Sequence, residues 1–171
     1  MRHDSLDSFL AKGAGALAKG PVAIVMAEDG VEVDSTLRHN LSTGFRCNLL
    51  LAPAEVEVAA DLQDRIHQID HDVYAEAALP EAVNRIAEAA AGSWIYYCYN
   101  AEYLFFPFCE TRTVRDLLAF HAEERREAML TYVIDLYAGD LNRHANAVSL
   151  EDAHMDRSGY YALARKDEAK N

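Results

Sequence analysis

Acidic and amide side chains follow two of the most apolar runs of this chain. Glu28 and Asp29 come directly after the first run, and Asn100 and Glu102 come after a second run that is rich in tyrosine. In open parallel sheets, ligands bind at the carboxyl ends of strands, which is where these side chains lie if both runs are strands. Asp and Asn are also common in tight turns, so solvated turns without a ligand are an equal alternative.

A second polar group lies between these two in the sequence and contains His67, Asp70, His71 and Asp72. If this segment is helical, His67 and His71 share one face and can ligate a metal ion. Exposed histidines and aspartates in short loops are usually solvated, which is the alternative. His121 lies further along on an otherwise apolar helix face, where a histidine is more often part of a core than a catalyst.

Three common catalytic or nucleotide-binding motifs are missing from the sequence. Neither GxGxxG nor GxxxxGKS/T follows the first apolar run, which argues against a dinucleotide-binding fingerprint and against a P-loop. The absence of GxSxG removes the usual sequence support for a serine hydrolase.

The charge of the chain excludes several classes of partner. The sequence has 171 residues and a formal net charge of -12, with 28 acidic residues against 16 lysines and arginines. This charge repels phosphate backbones and anionic lipids, so we expect no nucleic-acid or membrane-surface partner. No apolar run reaches the roughly 20 residues that a membrane helix needs, so we expect no transmembrane segment.

The cysteines and the start of the chain point to a reducing compartment. Cys47, Cys98 and Cys109 are an odd number and form no CxxC pair, which argues against a disulfide framework and a zinc site. Met1 to Leu10 carries acidic residues where a signal peptide would be basic and then apolar. We therefore predict a cytoplasmic protein with buried or free thiols.

Hydrophobic periodicity and turn residues predict alternating helices and strands. The predicted strands span residues 22–27, 46–51, 66–73, 94–99 and 129–137, and the predicted helices span residues 4–19, 34–43, 79–91 and 113–127. Residues 55–63 fit either a strand or a helix. A continuous helix over residues 113–138 is an alternative to the last strand. Gly44 and Gly92 are expected to end their helices.

Strands that alternate with helices form a mostly parallel sheet with helices on both faces, which is an α/β fold. We predict a single domain over residues 1–171, with a marginal N-terminal helix over 4–19 and a frayed C-terminal tail over 165–171. In such sheets, ligands bind at the carboxyl ends of strands, where the strand order reverses. A ligand is therefore expected to bind at one or more of the segments Ala27–Asp29, Asp70–Asp72 and Tyr99–Glu102.

The sequence YNAEYL, residues Tyr99–Leu104, resembles the motif region of family 2 type glycosyltransferases with the GT-A fold. In those enzymes an apolar strand is followed by Asp-x-Asp-Glu-Phe-Leu or a similar sequence. The first predicted strand, its helix and the second strand also look like the nucleotide-binding half of that fold. The resemblance covers about Pro21–Tyr137 and implies a GT-A (nucleotide-diphospho-sugar transferase) architecture.

The resemblance also implies a ligand, UDP or a UDP-sugar, and a divalent cation, Mn²⁺ or Mg²⁺. In the family, two acidic residues hold the cation, which neutralises the diphosphate as it leaves. One alignment places Tyr99 and Ala101 at those two positions, and another places Asn100 and Glu102 there. Glu102 is the carboxylate that both alignments keep, and Asn100 would be a neutral oxygen ligand.

The resemblance implies nucleotide contacts at the ends of several strands. Uracil or ribose would bind near the end of the first strand, and Asp70 could bind the base instead of a metal ion. The implied nucleotide-binding residues are Ala27, Glu28, Asp29, Asp70, Asn100 and Ala101. The chain departs from the family at the end of the second strand, which reads Leu51-Ala52-Pro53 where an acidic residue is usual.

Sugar transfer with inversion needs a general base close to the acceptor hydroxyl. Asp135 or Asp140, beside the last predicted strand, is expected in this catalytic role, because no other acidic residue follows Glu102 in a β setting. Simple alternation along a strand can also expose Asp135 to solvent. We therefore expect transfer of a sugar from its UDP derivative to an unknown acceptor. The alternatives are a non-catalytic nucleotide-binding or regulatory domain with an eroded motif, and an interaction module that shares only the fold.

Overall fold

The computed structural model describes residues 1–155, which form two compact units that divide between Arg126 and Glu127. The strands of the first unit are β1 (Arg2–His3), β2 (Val22–Met26), β3 (Cys47–Ala52), β4 (His67–Asp70) and β5 (Ile95–Tyr99). Its helices are α1 (Leu6–Lys12), a 3-10 helix (Ala14–Lys19), α2 (Val33–Thr43), α3 (Ala60–Gln63), α4 (Ala78–Ala89) and α5 (Val114–Glu123). A single domain over residues 1–171 stays a prediction, and the tail predicted over 165–171 lies outside the described residues.

The five strands of the first unit form one parallel sheet in the order β1-β4-β3-β2-β5. From β2 the chain adds β3 and β4 on one side, and then returns to place β5 on the other side. Met26, at the end of β2, is in register with Leu51 of β3 and Tyr99 of β5. The strand order therefore reverses between β2 and β5, which is the kind of position where open parallel sheets bind ligands.

Both faces of the sheet are covered, which confirms the predicted α/β fold with a parallel sheet and helices on both faces. On one face, alternate residues of β2 pack with Phe9 of α1 and Ile86 of α4. On the other face, Val25 packs with Leu37 of α2 and Leu62 of α3. Every residue of β2 and β3 is buried. This double burial is the physical reason for their continuous apolar sequences.

Helix ends agree with the sequence prediction at Gly44 but less well at the start of α2. Gly44 follows α2 with φ 104°, the left-handed conformation that favours glycine. The helix was predicted to begin at residue 34, whereas it begins at Val33 and follows Glu32, which has φ 53°. The Asp34 side chain accepts a hydrogen bond from the Ala59 N–H at 3.1 Å.

The structure divides one predicted helix, decides an ambiguous segment and places His121 in the core. The helix predicted over 4–19 divides at Gly13 into α1 and the 3-10 helix, because the weak helix former Gly13 lies against the Phe9 ring. The ambiguous residues 55–63 form an irregular segment followed by the short helix α3. His121 is buried on α5 near Trp94, as expected for a core histidine.

The strand predicted over residues 129–137 is wrong, and so is its helical alternative. The helix α5 ends at Glu123, and Arg125 has φ 55°. In the second unit, only residues 136–138 at the end of the predicted segment are extended, as strand β6 (Leu136–Ala138), which pairs antiparallel with β7 (Ala153–Met155). Leu130 is 78% exposed, so the segment lacks the buried face from which strand propensity gains its energy. Within residues 1–155, neither unit has a helix long and apolar enough to cross a membrane.

Candidate functional site

Asn100 joins the ends of β2 and β5. Its backbone N–H donates to the Met26 carbonyl at 3.2 Å, which continues the strand pairing. Its side-chain Oδ1 accepts from the Glu28 N–H at 3.3 Å, and its Nδ2 donates to Asp29 Oδ1 at 2.8 Å and to the Val31 carbonyl at 2.9 Å. Three residues that the sequence singled out, Glu28, Asp29 and Asn100, therefore lie at one place on the carboxyl edge of the sheet.

Tyr74 reaches the same place from the connection between β4 and α4. Its hydroxyl donates to the Glu28 carbonyl at 2.5 Å, and its own N–H donates to Asp72 Oδ1 at 3.1 Å. The Glu28 backbone is thus held on its N–H side by Asn100 and on its carbonyl side by Tyr74. Sequence reasoning missed Tyr74, although its position soon after a predicted strand was a signal that could have drawn attention to it.

The backbone of the turn after β5 is fastened to α2. Ala101 has φ 62°, an uncommon conformation for a residue with a side chain, and its N–H donates to Thr36 Oγ1 at 2.9 Å. The buried Thr36 hydroxyl donates in turn to the Glu32 carbonyl at 2.7 Å. Ala27 is also buried, and its N–H donates to the Leu51 carbonyl at 2.9 Å. The N–H groups of Ala27 and Ala101 are therefore already used within the protein.

Glu102 lies at the outer edge of β5. Its Oε2 accepts from the Tyr99 N–H at 2.7 Å. The Asn100 N–H is bonded to β2, and successive N–H groups of a strand point in opposite directions, so the Tyr99 N–H points away from β2. Within residues 1–155, the second carboxylate oxygen of Glu102 makes no hydrogen bond and remains able to bind a ligand.

Of the two side chains that the resemblance implies as cation ligands, Asn100 and Glu102, only Glu102 fits that role. Both polar atoms of the Asn100 amide are bonded within the protein, so Asn100 does not fit the role of cation ligand that the resemblance implies. Among the residues the structure describes, no three or more histidines, cysteines or acidic residues are grouped so that they could hold a metal ion. Mg²⁺ is often held by one or two carboxylates together with the phosphates of its ligand, and Glu102 fits that mode.

An open cleft of about 520 Å³ lies beside this edge. It is lined by the turn Glu28–Gly30 after β2 and by Pro53 and Glu55–Glu57 after β3. Its volume is within the range of small-molecule sites, roughly 300–1,000 Å³. Carboxylates at Glu28, Asp29 and in Glu55–Glu57 make the cleft acidic, so it suits a neutral or cationic group better than a bare phosphate.

His67 and Asp70 hold the short strand β1 against β4. The Asp70 carboxylate accepts from the Arg2 guanidinium at 2.9 Å, and His67 Nδ1 is 3.1 Å from His3 Nε2. Burial lowers the pKa of both histidines. The segment His67–Asp70 is a strand, so the helix that would have placed His67 and His71 on one face is not formed.

The two acidic residues implied as catalytic lie in the second unit. Asp135 is exposed in the irregular segment before β6. Asp140 accepts from the Asn142 N–H at 2.9 Å and so stabilises a turn after β6. Their role as general base stays a prediction.

Burial governs the chemistry of two of the three cysteines, which are all free. It raises the pKa of Cys47 to about 11 and that of Cys98 to about 12. Both thiols are therefore neutral at physiological pH and unsuited to nucleophilic catalysis.

The chain matches no protein-family model, no curated protein and no solved structure. Two observations bear on its function. One is the geometry at the carboxyl edge of β2 and β5, and the other is the resemblance of YNAEYL to the motif region of family 2 type glycosyltransferases.

Proposed function

We propose that the first unit binds a UDP-sugar at the carboxyl edge of β2 and β5, in the manner of the GT-A glycosyltransferases that YNAEYL resembles. The observation that carries this proposal is a coincidence of two features. The strand order reverses between β2 and β5, and Glu28, Asp29 and Asn100 are joined at that point. The GT-A fold and a cytoplasmic location are part of the proposal, and the free cysteines support the location.

The nucleoside part of the ligand would occupy the cleft after β2 and β3. Uracil has an N–H that can donate to a carboxylate, and the cleft offers Glu28 and Asp29 beside it. Asp70 is less suited to this contact, because its carboxylate is paired with Arg2. A preference for uracil over a purine rests on the resemblance, because the amino groups of adenine and guanine can also donate to a carboxylate.

The diphosphate would extend from the cleft toward the end of β5. The acidic cleft disfavours a bare diphosphate, so the ligand would arrive as its Mn²⁺ or Mg²⁺ complex. Glu102 would supply one oxygen to that cation. When bound, the cation supplies charge neutralisation to the leaving diphosphate.

Calorimetric titration with UDP and Mn²⁺ tests this function through Glu102→Gln. Glutamine keeps an oxygen that accepts from the Tyr99 N–H and loses the negative charge, so folding is preserved while the cation contact weakens. We expect UDP to bind about tenfold more weakly to this variant, the loss typical of one charged contact. The matched control is Glu88→Gln, on the exposed surface of α4. Equal affinity in wild type and Glu102→Gln, or no binding by the wild type, contradicts the proposal.

A second candidate is a non-catalytic nucleotide-binding or regulatory domain. It is favoured by the bonds that already occupy the Asn100 amide and one oxygen of Glu102. Release of UDP from a panel of UDP-sugars separates the two candidates, because only the enzyme turns the ligand over. In an enzyme, Asp135→Asn or Asp140→Asn should abolish transfer or hydrolysis while UDP binding survives.

A further inference from the structure

We propose that Tyr74 is the surface on which the base of the nucleotide stacks, an inference that rests on the proposed function of the same edge. The Tyr74 side chain is 69% exposed, although its hydroxyl is hydrogen-bonded to the Glu28 carbonyl. An exposed aromatic ring is common on a protein surface. A ring that is largely exposed and also fixed at its tip beside a cleft is a candidate binding surface.

The position of Tyr74 directs its ring along the carboxyl edge of the sheet. The residue follows β4, whereas its hydroxyl partner Glu28 follows β2, and β3 lies between these two strands. The side chain therefore extends from the β4 side of the edge toward the end of β2. Glu28 also begins the turn that lines the cleft, so the tip of the ring lies beside the proposed nucleoside site.

Tyr74 is anchored at its backbone and at its hydroxyl before any ligand binds. Asp72 accepts from the Tyr74 N–H, which orders the backbone, and the Glu28 carbonyl fixes the hydroxyl. A side chain that is already ordered loses little conformational entropy when a base stacks on it. Stacking of a base on an aromatic side chain typically strengthens binding about tenfold or more.

Phe108 is an exposed aromatic residue of this unit that differs from Tyr74 at the tip of its ring. It is 74% exposed and lies after β5, but a phenylalanine has no polar atom by which its tip can be fixed. It offers a matched control, because its truncation removes a ring of similar exposure without touching the cleft.

The test combines affinity with a spectroscopic signature of stacking. Calorimetry with UDP and Mg²⁺ would compare wild type, Tyr74→Ala, Tyr74→Phe and Phe108→Ala. We expect a loss of about tenfold or more in Tyr74→Ala, a smaller loss in Tyr74→Phe, and no change in Phe108→Ala. In proton spectra of UDP, the uracil H5 and H6 signals should shift upfield on binding to wild type and Tyr74→Phe, because the ring current of a stacked aromatic shields them.

The outcomes separate this inference from the proposed function. UDP binding that is equally tight in wild type and Tyr74→Ala overturns the role of Tyr74 and leaves the proposed function intact. Wild-type binding without an upfield uracil shift does the same, even if Tyr74→Ala fails to fold. No UDP binding by the wild type overturns both.

Discussion

The amide of Asn100 satisfies three polar partners at the point where β2 and β5 end. It accepts from the Glu28 N–H and donates to the Asp29 carboxylate and the Val31 carbonyl. Aspartate has nearly the same shape but no N–H to donate. Its charge would also lie within hydrogen-bond distance of the Asp29 carboxylate, where two like charges repel. The bonding at this edge therefore favours an amide over a carboxylate at position 100.

Asn100→Asp should lower the free energy of unfolding by about 1–3 kcal/mol, because two donated hydrogen bonds are lost and a carboxyl oxygen is left beside a like charge. Urea denaturation at neutral pH measures this change. Asn84→Asp, on the exposed face of α4, is the control and should stay within about 0.5 kcal/mol of wild type. An Asn100→Asp variant as stable as wild type would show that the hydrogen bonds donated by Asn100 contribute nothing to the free energy of unfolding.

The histidine pair between β1 and β4 should make stability depend on pH. Burial is the largest cause that lowers the pKa of His67 and of His3, and the chain's amino terminus also lowers both. His3 lowers the pKa of His67, as does Lys19, while Lys12 lowers and Asp4 raises that of His3. A histidine with a lowered pKa binds protons more readily in the unfolded chain. Its stabilising contribution is therefore present above about pH 6.5 and is lost as pH falls further.

We expect the melting temperature of wild type to fall between pH 7.5 and pH 5, and to fall less in His67→Gln, which does not titrate. Scanning calorimetry across this range measures the slope. His154→Gln, exposed in the second unit, controls for the general effect of removing a histidine. Parallel pH curves for wild type and His67→Gln would contradict this role of the pair.

At the level of single residues, the sequence predicts which residues lie close together better than it predicts which hydrogen bonds they form. Glu28, Asp29 and Asn100 follow apolar strands, and parallel strands end at a common edge, so their meeting could be predicted. The bond between Tyr74 and Glu28 joins residues 46 positions apart, and no local pattern encodes such a pair. The occupation of the Asn100 amide was missed for the same reason, since a sequence does not reveal which partners a turn brings within reach.

The end of α2 illustrates how one glycine fixes the path between two elements. Gly44 has φ 104°, and a Cβ placed on it would lie 3.1 Å from the Thr113 Cβ that precedes α5. Gly44→Ala therefore combines left-handed strain with a tight contact and should cost about 1–2 kcal/mol of stability. Chemical denaturation measures it against Gly15→Ala, where nothing lies within 4 Å of the added carbon. A Gly44→Ala variant that is no less stable than Gly15→Ala would rule out strain at this turn.

Elements were predictable where both burial and local propensity agreed. The apolar sequences of β2 and β3 reflect burial on both faces, and these strands were predicted within a residue or two. Residues 129–137 are rich in β-branched and aromatic residues, which also favour strands, but Leu130 and Val133 are exposed. Composition alone does not reveal whether a neighbouring strand is available to pair, and that information decides whether such a segment is extended.

At the scale of the whole molecule, charge sets the conditions under which a nucleotide could bind. The chain carries a formal net charge of -12, and carboxylates line the cleft at the carboxyl edge. The proposed ligand is also anionic, so association should require a divalent cation. The fold class could be predicted because alternating helices and strands imply a parallel sheet, and the reversal of strand order then follows from where β5 pairs.

The location of UDP on the protein tests the central claim most directly. Backbone amide signals of isotope-labelled protein would be followed by nuclear magnetic resonance during titration with UDP and Mg²⁺, and with ADP as the comparison. We expect UDP to shift signals concentrated in residues 27–31, 55–57 and 99–102, and ADP to produce weaker changes at the same concentration. Absence of shifts with UDP, or shifts confined to a distant region such as His3 and His67, would contradict a nucleotide site at the ends of β2 and β5.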